Sequence, residues 1–123
     1  MDIIQSIILS KRVRQVVILA IDAVWKSDYE LYAHSAVARK AGISEEAIRT
    51  LAVGGLPDDL SDQEKIAQRY ARQLSTEHRV DTALYSAAEH AFGKQGLVDI
   101  IYLTGIYHIV CALLNGFEIP APK

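Results

Sequence analysis

The run Leu9-Ser10-Lys11-Arg12-Val13-Arg14-Gln15-Val16-Val17-Ile18-Leu19 carries its own helix-start signal. Ser10 suits the N-cap, where its hydroxyl can accept a backbone N–H of the first turn. Apolar residues then recur at helical spacing, at Val13, Val16, Val17, Leu19, Ala20 and Val24. Working outward, a second helix is predicted from about Ser27 to Ala41, stopped by Gly42, the residue type best suited to a left-handed C′ position. Ser44-Glu45-Glu46-Ala47 is a cap followed by first-turn acids and opens a short helix to about Leu51. Gly54-Gly55-Leu56-Pro57-Asp58-Asp59 is the clear loop, and Ser61-Asp62-Gln63-Glu64 matches a capping box ahead of Ile66, Tyr70 and Leu74. Asp81 caps a further helix to Phe92. Gly93 and Gly96 punctuate the chain before a last helix, about Leu97 to Leu114, that is apolar on most sides and therefore expected to be buried. Proline occurs only at Pro57, Pro120 and Pro122, and no segment alternates as a half-buried strand would. The expected fold is all-α, a compact bundle of about six helices forming a single domain over residues 1–123.

Half of the 123 residues are hydrophobic and 23% are charged, which excludes intrinsic disorder. A net charge of −2 gives no electrostatic reason to expect nucleic acid or an anionic membrane as partner. No uninterrupted apolar run reaches the roughly 18 residues of a membrane helix, and Met1-Asp2-Ile3-Ile4-Gln5 lacks a basic, signal-like start. Cys111 is the only cysteine, so an intrachain disulfide is impossible and a reducing cytoplasm is the default compartment. The apolar excess for so short a chain points to burial between subunits.

Ser27, Glu30 and His34 stand three and four residues apart, on one stripe of the second helix, with Trp25, Tyr29 and Tyr32 close by. A carboxylate four residues from an imidazole can set its charge and orientation, which makes an acid–base unit near neutral pH. The same spacing also fits a solvated helix face. His108, within the apolar last helix, suits a hydrogen-bonded buried or interface residue as well as a binding one, and His78 and His90 are expected in solvent. Glu30, His34 and His108 are a conceivable metal set by ligand type. No close-spaced ligand cluster supports it, so no metal is expected. Gly54-Gly55 is a turn and not a phosphate loop. Cys111 reads as a small buried apolar residue. Arg12 and Arg14 oppose the helix dipole at a helix start, which suits them to a carboxylate of a neighbouring subunit or an anionic ligand.

From Leu9 to Ile48 the chain resembles the carboxymuconolactone decarboxylase and alkylhydroperoxidase D-like family: an Arg-rich helix start, an apolar helix, a helix bearing a functional His, then Gly and an acidic cap. Tyr107-His108-Ile109-Val110-Cys111-Ala112-Leu113-Leu114-Asn115-Gly116-Phe117-Glu118-Ile119-Pro120 is similar to its closing helix and tail. The resemblance places His34 on the functional His, and Ser27 and Glu30 where the peroxidase branch carries two redox cysteines; the acid four residues before the His is similar to the decarboxylase branch. Gln15 falls where many members carry a relay Glu, and an amide cannot pass protons as a carboxylate does. What the resemblance implies is a cofactor-independent lyase or acid–base enzyme for a small organic acid or lactone, with His34 and Glu30 catalytic. Trp25, Ser27, Tyr29, Gln15, Arg14 and His108 are the implied substrate-binding residues, and a trimer or hexamer the implied assembly. A non-catalytic oligomeric member with a degenerate site is the alternative, and Gln15 is the residue that favours it.

Overall fold

The computed structural model describes residues 8–122; Met1 to Gln5, read above for targeting signals, lie outside them. Five helices follow in order, α1 (Lys11–Trp25), α2 (Asp28–Lys40), α3 (Glu45–Ala52), α4 (Asp62–Glu77) and α5 (Thr82–Gly116), and no strand occurs among the described residues. Helix α5 is two rods joined at Gly93, whose φ of 69° and ψ of 175° break the helical backbone. The expected bundle of about six helices is therefore met by five helices, one of them bent.

The start signals behave as their chemistry dictates. Ser10, Ser44, Ser61 and Asp81 each accept the N–H three residues on. Gly42 takes a φ of 91° after α2, and the Ile43 N–H closes on the Ala38 carbonyl. Ser27 is the exception. It precedes α2 at the N-cap but makes no side-chain cap bond, which leaves its hydroxyl for another use.

The nearly all-buried helix is α1, not the last one. It packs against α2, α3, α4 and α5. Val13, Val17, Ala20 and Ile21 enter one core with Ala67, Tyr70 and Ala71 of α4 and Leu97, Ile100 and Leu103 of α5. Val16 and Leu19 enter a second with Ala38, Ile48 and Leu51. The last helix is only half covered. Val98, Ile101, Tyr102, Ile109 and Leu113 remain 41–64% exposed. Their spacing of three, one, seven and four residues draws one apolar stripe past Gly105. One 18-residue window of α5 has a mean hydropathy of 2.0 with 33% of it buried, enough by length and composition to cross a membrane. Its inner face, however, carries buried Asp99, which accepts from the Ile8 N–H and Gln95, and buried Thr104.

Arg12 is consumed within the chain. Its Nε lies 2.7 Å from Glu64 Oε2 and one Nη donates to the Gly42 carbonyl, so it joins the starts of α1 and α4 to the turn after α2. Glu64 also accepts the Ser61 N–H, completing the capping box. Glu64→Ala removes the box and strands a guanidinium, so it is expected to lower unfolding free energy by about 2–3 kcal/mol in a denaturant titration. Ser61→Ala loses the cap alone and should cost about 1 kcal/mol.

Candidate active site

Because α2 doubles back on α1 after a tight turn, one polar stripe of each helix faces the other. On α1 the stripe is Gln15 and Asp22, seven residues apart and both buried. On α2 it is Ser27, Glu30 and His34. The two stripes meet as two rungs. In the first, His34 Nδ1 lies 2.9 Å from Gln15 Oε1, and Tyr107 of α5 closes edge-on against the imidazole at 5.3 Å. The second joins Asp22, Glu30 and Cys111, which bring one carboxyl oxygen each and the thiol sulfur within 4.8 Å of one another. His34 Nε2 stands 3.5 Å from Glu30 Oε1 and links the rungs.

Burial governs the electrostatics here. Asp22 is 0% and Glu30 5% exposed. Burial, then the charge of Glu30, pushes the Asp22 carboxyl up to about 8, although the Cys111 thiol donates to its Oδ1 at 3.3 Å. The Glu30 carboxyl is raised for the same first reason, and its hydrogen bond with Asp22 works against the rise. The Cys111 thiol is pushed well up by burial and by the neighbouring Asp22 and Glu30. His34 is shifted down by burial, so the imidazole is neutral at neutral pH. With Gln15 Oε1 as acceptor, its proton sits on Nδ1 and the Nε2 lone pair faces Glu30.

A cleft of about 400 Å³ opens beside this site, lined by Lys11, Arg14, Gln15, Val37, Lys40 and Ala41. Gln15 belongs to both cleft and rung. Three cations surround one mouth, and Arg14 Nε is buried with no partner among the described residues. Such a mouth attracts carboxylates.

Of the residues expected from the sequence, the structure thus gathers Gln15, Ser27, Glu30 and His34, and sets Arg14 at the cleft. Trp25 and His108 form a separate group: Trp25 Nε1 donates to His108 Nδ1 at 3.1 Å, and His108 Nε2 meets Ser75 Oγ at 2.9 Å. Both His108 nitrogens are occupied by packing partners, which takes it out of the conceivable metal set. Tyr29 and Tyr32 are exposed on α2, at 39% and 56%. Asp22 was missed. Its signal was in the sequence, as the one charged residue in the apolar run from Val16 to Val24. Lys11, Lys40 and Tyr107 carry no comparable mark, because only the fold brings them to His34.

The sequence profile of the carboxymuconolactone decarboxylase family matches residues 6–73, more than half of the chain. No curated protein matches significantly. Among solved structures, the fold is similar to an Agrobacterium tumefaciens protein of unknown function described as a putative antioxidant defence protein AhpD. The TM-score is 0.88 at 17% identity, covering 98% of this chain and 84% of that one. A peroxidase-related protein from Silicibacter sp. TM1040 is similar at TM-score 0.79 and 18% identity, over 89% of this chain and 58% of that one. Likeness at such identities establishes a shared fold and no shared reaction. On the match across α1 to α4, the chain belongs to the carboxymuconolactone decarboxylase family.

Proposed function

We propose that the protein is a cofactor-independent acid–base enzyme of the lyase type acting on a small organic acid or lactone, with His34 as the proton-transferring group. The observation that carries this reading is the position of His34. Its Nδ1 is held by Gln15 and its Nε2 stands 3.5 Å from Glu30, one residue away from a cleft ringed by Lys11, Arg14 and Lys40. The cations would hold the substrate carboxylate. Decarboxylation then breaks the bond to the departing CO₂, leaves the electron pair in a dienolate, and needs a proton delivered to carbon. Thiol peroxide chemistry has little support. Ser27 and Glu30 occupy the positions the resemblance gives to redox cysteines, and Cys111 is fully buried with its thiol shifted away from ionisation. A screen of small unsaturated acids and lactones for CO₂ release or isomerisation tests the reading. Turnover lost in His34→Ala supports it. An inactive wild type would favour the non-catalytic alternative, with Gln15 as the reason.

The self-association proposed with it rests on the stripe from Val98 to Leu113. A second copy is the occupant that fits: the stripe is one face of a helix whose other face carries buried polar side chains, a one-sided pattern suited to a helix partner. A trimer or hexamer is expected at micromolar concentration by sedimentation equilibrium, in a membrane-free cytoplasmic setting. Ile109→Lys should shift it toward smaller species. A wild-type mass equal to the 13.6 kDa chain would overturn the assembly.

A further inference from the structure

Two buried carboxyl groups, Asp22 and Glu30, bring an oxygen each within 4.8 Å of the other, and no Lys or Arg side chain among the described residues pairs with either. Asp22 Oδ2 and Glu30 Oε1 have no hydrogen-bond donor among the described residues, and neither does Ser27 Oγ beside the Cys111 thiol. Two ionised carboxylates offer each other only acceptors. A proton on one of them gives both oxygens a partner and removes the repulsion of like charges in a desolvated site. The remaining ionisable groups facing the pair cannot replace that proton. Cys111 already donates to Asp22 Oδ1. His34 is neutral and presents a lone pair. Tyr107 is itself held protonated by burial, and Arg14 acts on Tyr107 from the cleft side.

We infer that Asp22 and Glu30 hold one proton between them, and that Asp22, acting through Glu30, is the positioning residue for the proton that His34 delivers. The catalytic use of that proton rests on the proposed acid–base function; the shared proton itself does not. The path is short. A proton passes from Glu30 Oε1 to His34 Nε2 as the Nδ1 proton leaves toward a substrate atom that takes the place of Gln15 Oε1. The carboxyl pair is then doubly ionised and the ring carries its proton on Nε2. That proton returns to the pair as Nδ1 takes one from solvent, so proton, charge and tautomer are restored over the cycle. Gln15 can serve the Nε2-protonated tautomer too by presenting its amide NH₂ to Nδ1, which a carboxylate at this position could not do. Gln15 is in this view suited to the relay and not a defect in it.

The test is a carboxyl-carbon NMR titration of wild-type protein labelled at Asp and Glu, which reads the proton without any substrate. One of the two carboxyls should be protonated at neutral pH, with a midpoint far above the ordinary carboxylate range. In Asp22→Asn that high midpoint should vanish and Glu30 should be ionised at neutral pH. The amide has nearly the same shape, and Glu30→Gln provides a second variant in which Asp22 should behave likewise. Finding both groups ionised at neutral pH in wild type would overturn the inference. So would uptake of one Zn²⁺ per chain that is lost in Asp22→Asn, because a cation would then fill the place of the proton. A blank substrate screen leaves this titration unchanged, so the two readings fail separately.

Discussion

His34→Ala lowers turnover by about 10²–10⁴-fold in the acid–base mechanism, the range a single general acid–base group contributes. The effect should fall on kcat more than on KM, because Lys11, Arg14 and Lys40, the cations proposed to hold the substrate, remain in place at the cleft. The pH profile gives an independent check. Burial lowers the His34 midpoint below 6.5, so the neutral base is lost, and activity with it, only as pH falls below that value. On the alkaline side the proton of the carboxyl pair is lost around 8, where Asp22 titrates. The expected profile is a bell with a broad top across neutrality. Glu30→Gln removes the charge beside Nε2, so the His34 midpoint should fall further and the acid limb move to lower pH. Equal His34 midpoints in wild type and Glu30→Gln, read from ring-proton NMR, would show that the two groups do not interact and would sink the mechanism.

The legible part of this fold was the part written in local signals. Ser10, Ser44, Ser61 and Asp81 cap helices because a short side-chain oxygen satisfies N–H groups that no helix can satisfy internally, and that chemistry requires no knowledge of the partner helices. The choice of central helix was not legible. Both α1 and the last helix are apolar on most sides, and only the packing of four neighbours on α1 decides between them. The same limit applies to the site. The stripe Ser27, Glu30, His34 follows from helical spacing within one segment. Its partners Asp22, Tyr107 and Cys111 lie on other helices, and the carboxyl contact between Asp22 and Glu30 exists only because α2 folds back on α1. Arg12 makes the point in reverse. Its charge suggested an external anion, yet Glu64, distant in sequence, satisfies it within the chain at 2.7 Å.

Asp22→Asn should reverse the pH dependence of stability over a wide range. In the folded protein the Asp22 carboxyl titrates near 8, against 3.8 for an exposed one. Between those values the folded state holds a proton that the unfolded state has released, so this contribution to stability is full below about 4 and is lost as pH rises toward 8. A displacement of about four units at 1.36 kcal/mol each sets an upper bound of roughly 5 kcal/mol, which partial relaxation of the site will reduce. His34 acts with the opposite sign. Its lowered midpoint contributes stability that is present above 6.5 and lost as pH falls below it. Wild type therefore loses stability on both sides of a weakly acid optimum. Asp22→Asn keeps the acid-side loss from His34 and removes the Asp22 share of the alkaline one, leaving only what the burial of Glu30 contributes, since an amide carries no proton to lose and can donate to Glu30 while still accepting from Cys111. Denaturant midpoints at pH 5 and pH 9 give the comparison. The variant should be close to wild type or weaker at pH 5 and more stable by a few kcal/mol at pH 9. Parallel curves for the two proteins would mean that Asp22 is ionised in the folded state across this range, with its charge met by some group other than Glu30.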